Sequence, residues 1–329
     1  MTISRPSISP SPGCDVIVIT EFMDEAAVAR MRAAGTVVYD PALADDQARI
    51  PGQIAGARAL VVRNRTRVTA DLLEAAPALQ CVGRLGVGLD NIDMAACKAR
   101  GVTVYPALGA NNLSVAEYVI TSAMALLRNA YQARAAMLAG DWPRQACAGR
   151  ELSGKTLGLV GFGGIARDTA DRARALGMTV AGFDPFLAPD DPRWGDATPM
   201  DLPGLLAAAD VLSLHVPLTD DTRHMVNADT LTAMKPVAVV INAARGGVVD
   251  EDALCDALRA GAIAGAALDV FETEPLTAQA AGKFRDINNL ILTPHIAGVT
   301  EESNERVSDM IADLVLKHLE KGPDHADRA

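Results

Sequence analysis

Four stretches of this sequence set chemically capable residues at the ends of apolar runs. The first is Gly161-Phe162-Gly163-Gly164-Ile165-Ala166, between "TLGLV" and "IARDTADRARAL". In a strand–turn–helix unit the first glycine permits the tight turn. The second lets backbone N–H groups approach a pyrophosphate at the helix N-terminus, where the dipole favours anions. Ala166, in the third position, still allows close helix–strand packing. The next strand ends in Asp184, whose carboxylate can accept both ribose hydroxyls of NAD and would repel the 2′-phosphate of NADP. Glycines also serve plain turns, but strand, helix and acid together favour the dinucleotide.

The second stretch, "NAARGGVVDEDAL" (242–254), delivers Arg245 at the carboxyl end of an apolar strand, the edge where open α/β sheets bind ligands. A guanidinium there can grip a substrate carboxylate through two parallel hydrogen bonds, or it can bridge domains; the glycines after it leave an approach uncrowded and favour the first. The third, "LDVFETEP" (268–275), offers Asp269 and Glu274 to orient a histidine. Asp269 could instead face a nicotinamide or cap a loop, and Glu272 reads as an exposed neighbour. The fourth, "NLILTPHIAG" (289–298), ends a strand in Pro294 and His295. Of the other histidines, His318 and His325 read as solvated and His224 as a loop residue. His215, in "SLHVP", suits a core or a cofactor wall better than chemistry.

The elements that must position these residues alternate between short apolar runs and helical patterns. "DVIVIT", "TVVYD", "ALVVRN", "LQCVGRLG" and "GVTVYPA" form one series of strands. A second and longer series starts at "TLGLV". This rhythm predicts two parallel sheets with crossover helices, an α/β fold. Between the series, 114–137 reads as one helix with apolar residues on more than one face, buried from two sides.

Composition narrows the function further. Half of the 329 residues are hydrophobic and the net charge is −11, so a polyanionic partner such as nucleic acid would be repelled. An anionic substrate must be held by local arginines. The five cysteines are dispersed, with no metal-like spacing, which reads as reduced thiols in the cytoplasm and no metal site. No apolar run is long enough for a membrane span. Residues 1–14 read as a disordered leader and "KGPDHADRA" as a frayed tail.

Taken together, "LVGFGGIA…FD", "NAARG", "DVFETEP" and "TPHIAG", with "VGRLGVGLDNID" and "GANNLSVAEY", resemble the D-isomer-specific 2-hydroxyacid dehydrogenase family, most of all its phosphoglycerate-dehydrogenase-like branch. The resemblance covers about residues 15 to 320. It implies two doubly wound parallel-sheet domains, a Rossmann-type NAD domain (107–295) inserted into a flavodoxin-like substrate domain (15–106 and 296–329). It implies a catalytic Arg245, Glu274 and His295. Glu274 would hold the imidazole in one tautomer and favour its charged form, while His295 exchanges a proton with the C2 hydroxyl. It implies that Val87, Gly161, Gly163, Gly164, Ile165, Asp184, Val216, Ala243, Ala244, Asp269 and Gly298 contact the dinucleotide. Leu85, Gly86, Val87, Gly88, Asn111 and Arg245 would contact substrate. Leu85 stands where the family more often has a small residue, and would narrow the cleft or pack beneath it. The regulatory domain that follows the core in serine-pathway members is not expected, and a homodimer through the NAD domain is.

Substrate class rests on "VVRNRTRVT" (61–69). If the segment is extended, Arg63, Arg65 and Arg67 share a face, with Arg84 on a neighbouring strand. Such a cluster suits a second anionic group on the substrate, or is an exposed basic loop. A D-type 2-hydroxy acid of the 3-phosphoglycerate or (S)-sulfolactate kind would fit, and "VITEFMDEAAVARM" is similar to enzymes of sulfolactate degradation. The alternatives are a hydroxypyruvate or glyoxylate reductase and an NAD(H)-sensing scaffold of the corepressor type, which keeps the same three residues. Formate dehydrogenases share the architecture but resemblance to them predicts glutamine at 274.

Overall fold

The computed structural model describes residues 16–129 and 133–321. The expected leader, the tail after Lys321 and His325 lie outside the described residues. The chain divides into two units, one of Met1–Asn111 with Thr300–Ala329 and one of Asn112–Val299. The family resemblance places these crossings at 106/107 and 295/296. Both fall a few residues later because the turns at each site pack with the preceding unit: Arg306 Nε donates to the Ala110 carbonyl at 3.0 Å, and Ile296 and Ala297 are tied to Asp269.

In the first unit β1 (Val16–Ile19), α1 (Glu25–Ala34), β2 (Thr36–Tyr39), α2 (Ile50–Ile54), β3 (Ala59–Val62), α3 (Ala70–Glu74), β4 (Cys81–Arg84), α4 (Met94–Ala99) and β5 (Thr103–Pro106) follow in order. The strands pair in parallel as β2-β1-β3-β4-β5, the flavodoxin-like order. Along β3, Ala59 and Val61 face one core while Leu60 and Val62 face another, the period-two alternation of a strand covered on both sides.

The second unit runs through α5 (Asn112–Arg128), α6 (Arg134–Leu138), β6 (Thr156–Val160), α7 (Gly164–Ala175), β7 (Thr179–Phe183), β8 (Thr198–Pro199), α8 (Leu202–Ala208), β9 (Val211–Leu214), α9 (Ala228–Thr232), β10 (Val239–Asn242), α10 (Glu251–Ala260), β11 (Gly265–Leu268) and β12 (Leu290–Leu292). The sheet order is β12-β11-β10-β9-β6-β7-β8, so direction of growth reverses between β6 and β9. That is the topological switch point of a doubly wound sheet, and ligands bind beyond the carboxyl ends there. β10 alternates in the same way: Val239 and Ile241 join the core under α5 and α7, and Val240 the opposite one.

The helix expected over 114–137 is shorter. α5 ends at Arg128, and Asn129 takes the left-handed conformation (φ 51°). Its side-chain amide donates to the Ala146 carbonyl at 2.9 Å, and Gly149 lies so close to the Arg128 carbonyl that an added Cβ would sit 2.1 Å from it. The returning chain therefore stops the helix. Val119, Ala123 and Leu127 of α5 are buried as expected.

The chain returns to the first unit with α11 (Glu301–Lys321), whose Val307, Ile311 and Val315 are buried beside α1. α11 crosses β4 at Gly83, where an added Cβ would lie 2.6 Å from Ile311 Cγ2 and 3.0 Å from Val315 Cγ2. Both neighbours are β-branched and stiff next to their backbone, so they cannot swing aside. Gly83→Ala is therefore expected to lower unfolding stability by about 1–3 kcal/mol, the scale of overpacking a core. Urea denaturation checks it, and an unchanged midpoint would refute the close approach.

Candidate active site

The glycine loop forms at the switch point. Gly161 has φ 84°, and a Cβ on it would lie 2.6 Å from the His215 carbonyl oxygen, so β6 and β9 approach too closely for any side chain. Val216 Cγ1 closes the same contact at 3.0 Å. Gly163 caps α7, and a Cβ built there meets nothing within 4 Å. The helix N-terminus is thus open on that side, as a pyrophosphate requires. Gly164 has a separate role, since its missing Cβ makes room for the Asn112 side chain at 2.6 Å. Ala166 is fully buried against the sheet. Asp184 accepts the Phe162 N–H at 2.9 Å and the Phe186 N–H at 2.9 Å, one on each oxygen. Each oxygen keeps a lone pair for a ribose hydroxyl. These residues fit an NAD.

His215 lines this edge rather than reacting. Its Nε2 pairs with Ser213 Oγ at 3.0 Å, and burial pushes the imidazole down to about 4, so it stays neutral.

β10 ends in a turn fastened by Asn242, a residue to which the sequence pattern assigns no role. The Asn242 amide donates to the Arg245 carbonyl at 2.9 Å and accepts the Ala244 N–H at 3.1 Å. Asn242 itself is 1% exposed at the end of its apolar strand. Ala243 and Ala244 form this turn, and Arg245 Nη1 donates to the Ala244 carbonyl at 2.6 Å. The glycine after Arg245 serves packing, not open access: a Cβ on Gly246 would lie 1.8 Å from the Phe271 carbonyl oxygen.

Asp269 and Glu274 divide the work of holding His295. β12 ends at Leu292, so the histidine belongs to the turn after the strand rather than to the strand. Asp269 is 1% exposed and acts on the turn's backbone. Its Oδ1 accepts the Thr293 hydroxyl at 2.5 Å and the Ile296 N–H at 2.8 Å, and its Oδ2 accepts the Ala297 N–H at 2.7 Å. The Asp269 carbonyl accepts the His295 N–H at 2.8 Å. Because Thr293 donates to Asp269, the Tyr118 hydroxyl must donate to Thr293 Oγ1, 2.7 Å away. Tyr118 and Thr293 carry no sequence signal for this role. Gly298 follows directly on this turn.

Glu274 acts on the ring, with Oε2 2.8 Å from His295 Nδ1. The other carboxylate oxygen accepts the Phe271 N–H at 3.0 Å. Burial opposes the charge on Glu274, but the hydrogen bond and charge of His295, the Phe271 N–H and the charge of Arg245 outweigh it and hold the carboxyl below its ordinary value. A charged Glu274 fixes Nδ1 as the protonated nitrogen and leaves Nε2 to exchange a proton. His295 has φ 56°, a strained left-handed backbone for a side chain this large. Glu272 is less idle than expected: its Oε1 lies 3.1 Å from His224 Nε2.

The first unit's expected substrate residues behave differently. Leu85 is 2% exposed and packs beneath its loop. Gly86 (φ 145°) gives way to Arg84, whose Nη1 donates to the Leu85 carbonyl at 2.9 Å; Arg84 is thus committed to the loop. Val87 and Gly88 follow as half-buried loop residues. Asn111 Oδ1 is buried with no hydrogen-bond partner among the described residues. Arg63, Arg65 and Arg67 do not lie on an extended segment. β3 stops at Val62, and the buried Glu21 carboxylate accepts the N–H groups of Arg63, Arg65 and Thr66, bending the chain into a loop. Arg63 Nη2 donates to Asn304 Oδ1 at 2.8 Å, while Arg65 pairs with Asp45 at the surface.

A parallel sheet with a dinucleotide loop at its switch point, and a carboxylate-held histidine beyond the same edge, define a nicotinamide-dependent oxidoreductase. Comparison with known proteins makes this specific. A family profile described as "D-isomer specific 2-hydroxyacid dehydrogenase, NAD binding domain" matches residues 120–297. The (S)-sulfolactate dehydrogenase of Chromohalobacter salexigens is 53% identical over 92% of this chain and 98% of its own. The D-3-phosphoglycerate dehydrogenase of Methanocaldococcus jannaschii is 38% identical, over 92% of this chain and 57% of its own. Among solved structures, a D-lactate dehydrogenase from Aquifex aeolicus, complexed with NAD and lactic acid, superposes with a TM-score of 0.78 at 29% identity over 94% and 96% of the two chains. The chain belongs to the D-isomer-specific 2-hydroxyacid dehydrogenase family and is an NAD-dependent dehydrogenase acting on CH–OH donors. Among the described residues no cluster of His, Cys, Asp and Glu could hold a metal, and no helix is long and apolar enough to cross a membrane.

His295→Gln keeps the size of the ring's reach but cannot exchange a proton. It is expected to lower kcat at least ~100-fold with little change in NAD affinity. Steady-state turnover and NADH fluorescence titration together check this, and near-normal turnover would remove His295 from the chemistry.

Proposed function

We propose that the protein oxidises or forms a D-type 2-hydroxy acid bearing a second anionic group, with (S)-sulfolactate as the substrate. The reaction reading rests on one observation: His295 Nδ1 is held 2.8 Å from a Glu274 carboxylate that also feels the charge of Arg245. The substrate reading is supported by the 53% identity to a relative of that activity over nearly its whole length, and by the basic loop at 63–67.

In oxidation, neutral His295 takes the C2 hydroxyl proton on Nε2, and Glu274 stabilises the imidazolium that results. Arg245 grips the substrate carboxylate and stabilises negative charge on the C2 oxygen. Bound NAD supplies the acceptor for the two electrons and hydrogen leaving C2. In reduction the imidazolium returns the proton to the same oxygen. Arg63 and Arg65 are the proposed determinants for the second anion, and the backbone amides of 85–88 for the carboxylate.

An NADH-release screen with (S)-sulfolactate, 3-phosphoglycerate, D-lactate, glycerate and formate tests the reading. Sulfolactate is expected to give the highest kcat/KM, and Arg65→Gln to raise its KM roughly tenfold while leaving D-lactate unchanged. A higher kcat/KM for phosphoglycerate would reassign the substrate. Activity on none, together with capture of a peptide partner, would favour the NAD-sensing scaffold.

We also propose a cytoplasmic homodimer formed through the second unit. Its support is an apolar surface after α5, where Leu138 is 73% and Trp142 77% exposed, together with the free cysteines Cys81, Cys97, Cys147 and Cys255. Light scattering is expected to give twice the chain mass, reduced toward the monomer by Trp142→Ser. A monomeric wild type would refute it.

A further inference from the structure

Helix α5 reaches the histidine turn through one side chain. Tyr118 lays its ring against the core under α5 and α7, and its hydroxyl meets Thr293, the first residue past β12, at 2.7 Å. Burial pushes that hydroxyl above its ordinary value, so it stays protonated across the neutral range. The Thr293 proton is already committed to Asp269 Oδ1, at 2.5 Å, which leaves Thr293 Oγ1 as acceptor for the phenol. The chain therefore has one direction, from Tyr118 to Thr293 to Asp269. Asp269 in turn holds the backbone around the histidine. Its carbonyl accepts the His295 N–H at 2.8 Å, and its carboxyl oxygens accept the Ile296 and Ala297 N–H groups at 2.8 and 2.7 Å.

This chain is more than packing needs. A plain phenyl ring would fill the same space against the core, and taking a hydroxyl out of water is unfavourable unless a hydrogen bond offsets it. What the hydroxyl adds is direction. A threonine hydroxyl rotates freely about its bond to Cβ, and a donor on its oxygen fixes where its own proton points. The turn served by that proton carries the strained His295, at φ 56°, a conformation that persists only where its neighbours over-determine it. The other end of α5 is fixed as well, because the Asn112 side chain fills the space left by the missing Cβ of Gly164 at the start of α7. One helix thus braces both the dinucleotide loop and the histidine turn.

We propose that Tyr118 is a positioning residue for the dehydrogenase reaction: through Thr293 and Asp269 it fixes the turn that aims the His295 imidazole. Its effect passes through the turn and not through contact with the substrate. Misplacing a reacting group by about 1 Å can cost ~100-fold in rate, so a turn loosened at one of its bonds slows turnover while leaving binding intact. The inference rests on His295 as the acid–base, and the experiment separates the two.

The test compares full-length wild type with Tyr118→Phe, Thr293→Val, Thr293→Ser and the Tyr118→Phe/Thr293→Val double variant. With NAD and the most active of the acids screened above, Tyr118→Phe is expected to lower kcat roughly tenfold, with KM for the acid and NADH affinity within about twofold of wild type. Thr293→Val should cost at least as much, and Thr293→Ser should recover most of that loss. The double variant should be no slower than Thr293→Val alone, because Tyr118 acts only through Thr293. A second readout needs no substrate. In protein labelled with ¹⁵N-histidine, the His295 amide, identified by its loss in His295→Gln, should exchange with deuterium about tenfold faster in Tyr118→Phe. The His215 amide, bonded to the Val160 carbonyl at 2.7 Å, should keep its rate. Wild-type kcat in Tyr118→Phe, a change in KM in place of kcat, additive losses in the double variant, or an unchanged His295 amide would each overturn the inference. Near-normal turnover in His295→Gln would overturn the acid–base and this inference with it, whereas loss there beside wild-type kcat in Tyr118→Phe overturns this inference alone.

Discussion

A buried carboxylate must be saturated with hydrogen bonds, and this constraint organises the loops of the molecule. Asp269 is the central case: 1% exposed, its carboxyl group is accommodated because the Thr293 hydroxyl and two backbone N–H groups converge on it. The histidine turn is the partner that satisfies it. Each of those donors would cost about 1–3 kcal/mol if stranded, so carboxylate and turn stabilise each other. The same device recurs wherever an acid is buried. Glu21 gathers the loop after β3, Asp210 accepts the Thr156 N–H at 3.0 Å, and Glu251 accepts the Glu272 N–H at 2.7 Å. A strained His295 backbone is tolerable in this setting because its neighbours are fixed by several bonds rather than one.

Parallel sheets then supply the geometry. Their strands end together, so residues just past β6, β10, β11 and β12 share one edge. Glycines set how closely the edge can be drawn together. Gly161 lets the chain after β6 touch the carbonyl after β9, and Gly246 lets the Arg245 turn rest on Phe271, three residues from Glu274. Glu274 can therefore feel Arg245 while its own hydrogen bond goes to His295.

The strand series, the dinucleotide loop and the arginine–glutamate–histidine set were legible in the sequence because each depends on local pattern: alternation, glycine spacing, and short motifs shared with a family. What was misread depends on distant partners. Period-two alternation placed Arg63, Arg65 and Arg67 on one face, yet Glu21, far away in sequence, decides the path of that loop. Helical apolar spacing continued past Arg128, but the stop comes from Gly149 on the returning chain. His318 looked solvated because it sits near the terminus; α11 turns it toward Tyr105. Tyr118, Thr293 and Asn242 act by holding other residues, and residue type alone does not reveal such work. The Asp269 alternatives closed only when its carboxylate was seen to bind backbone.

The grip of Glu21 on the loop after β3 has a consequence for how this protein can change. Glu21 binds main-chain N–H groups at 63, 65 and 66, so the loop's path does not depend on which side chains those positions carry. Backbone path and side-chain identity are thus separable. Lineages, or a combinatorial library, can exchange the side chains at 63 and 65 without rebuilding the loop, whereas a change at 21 would remove the acceptor that sets its path.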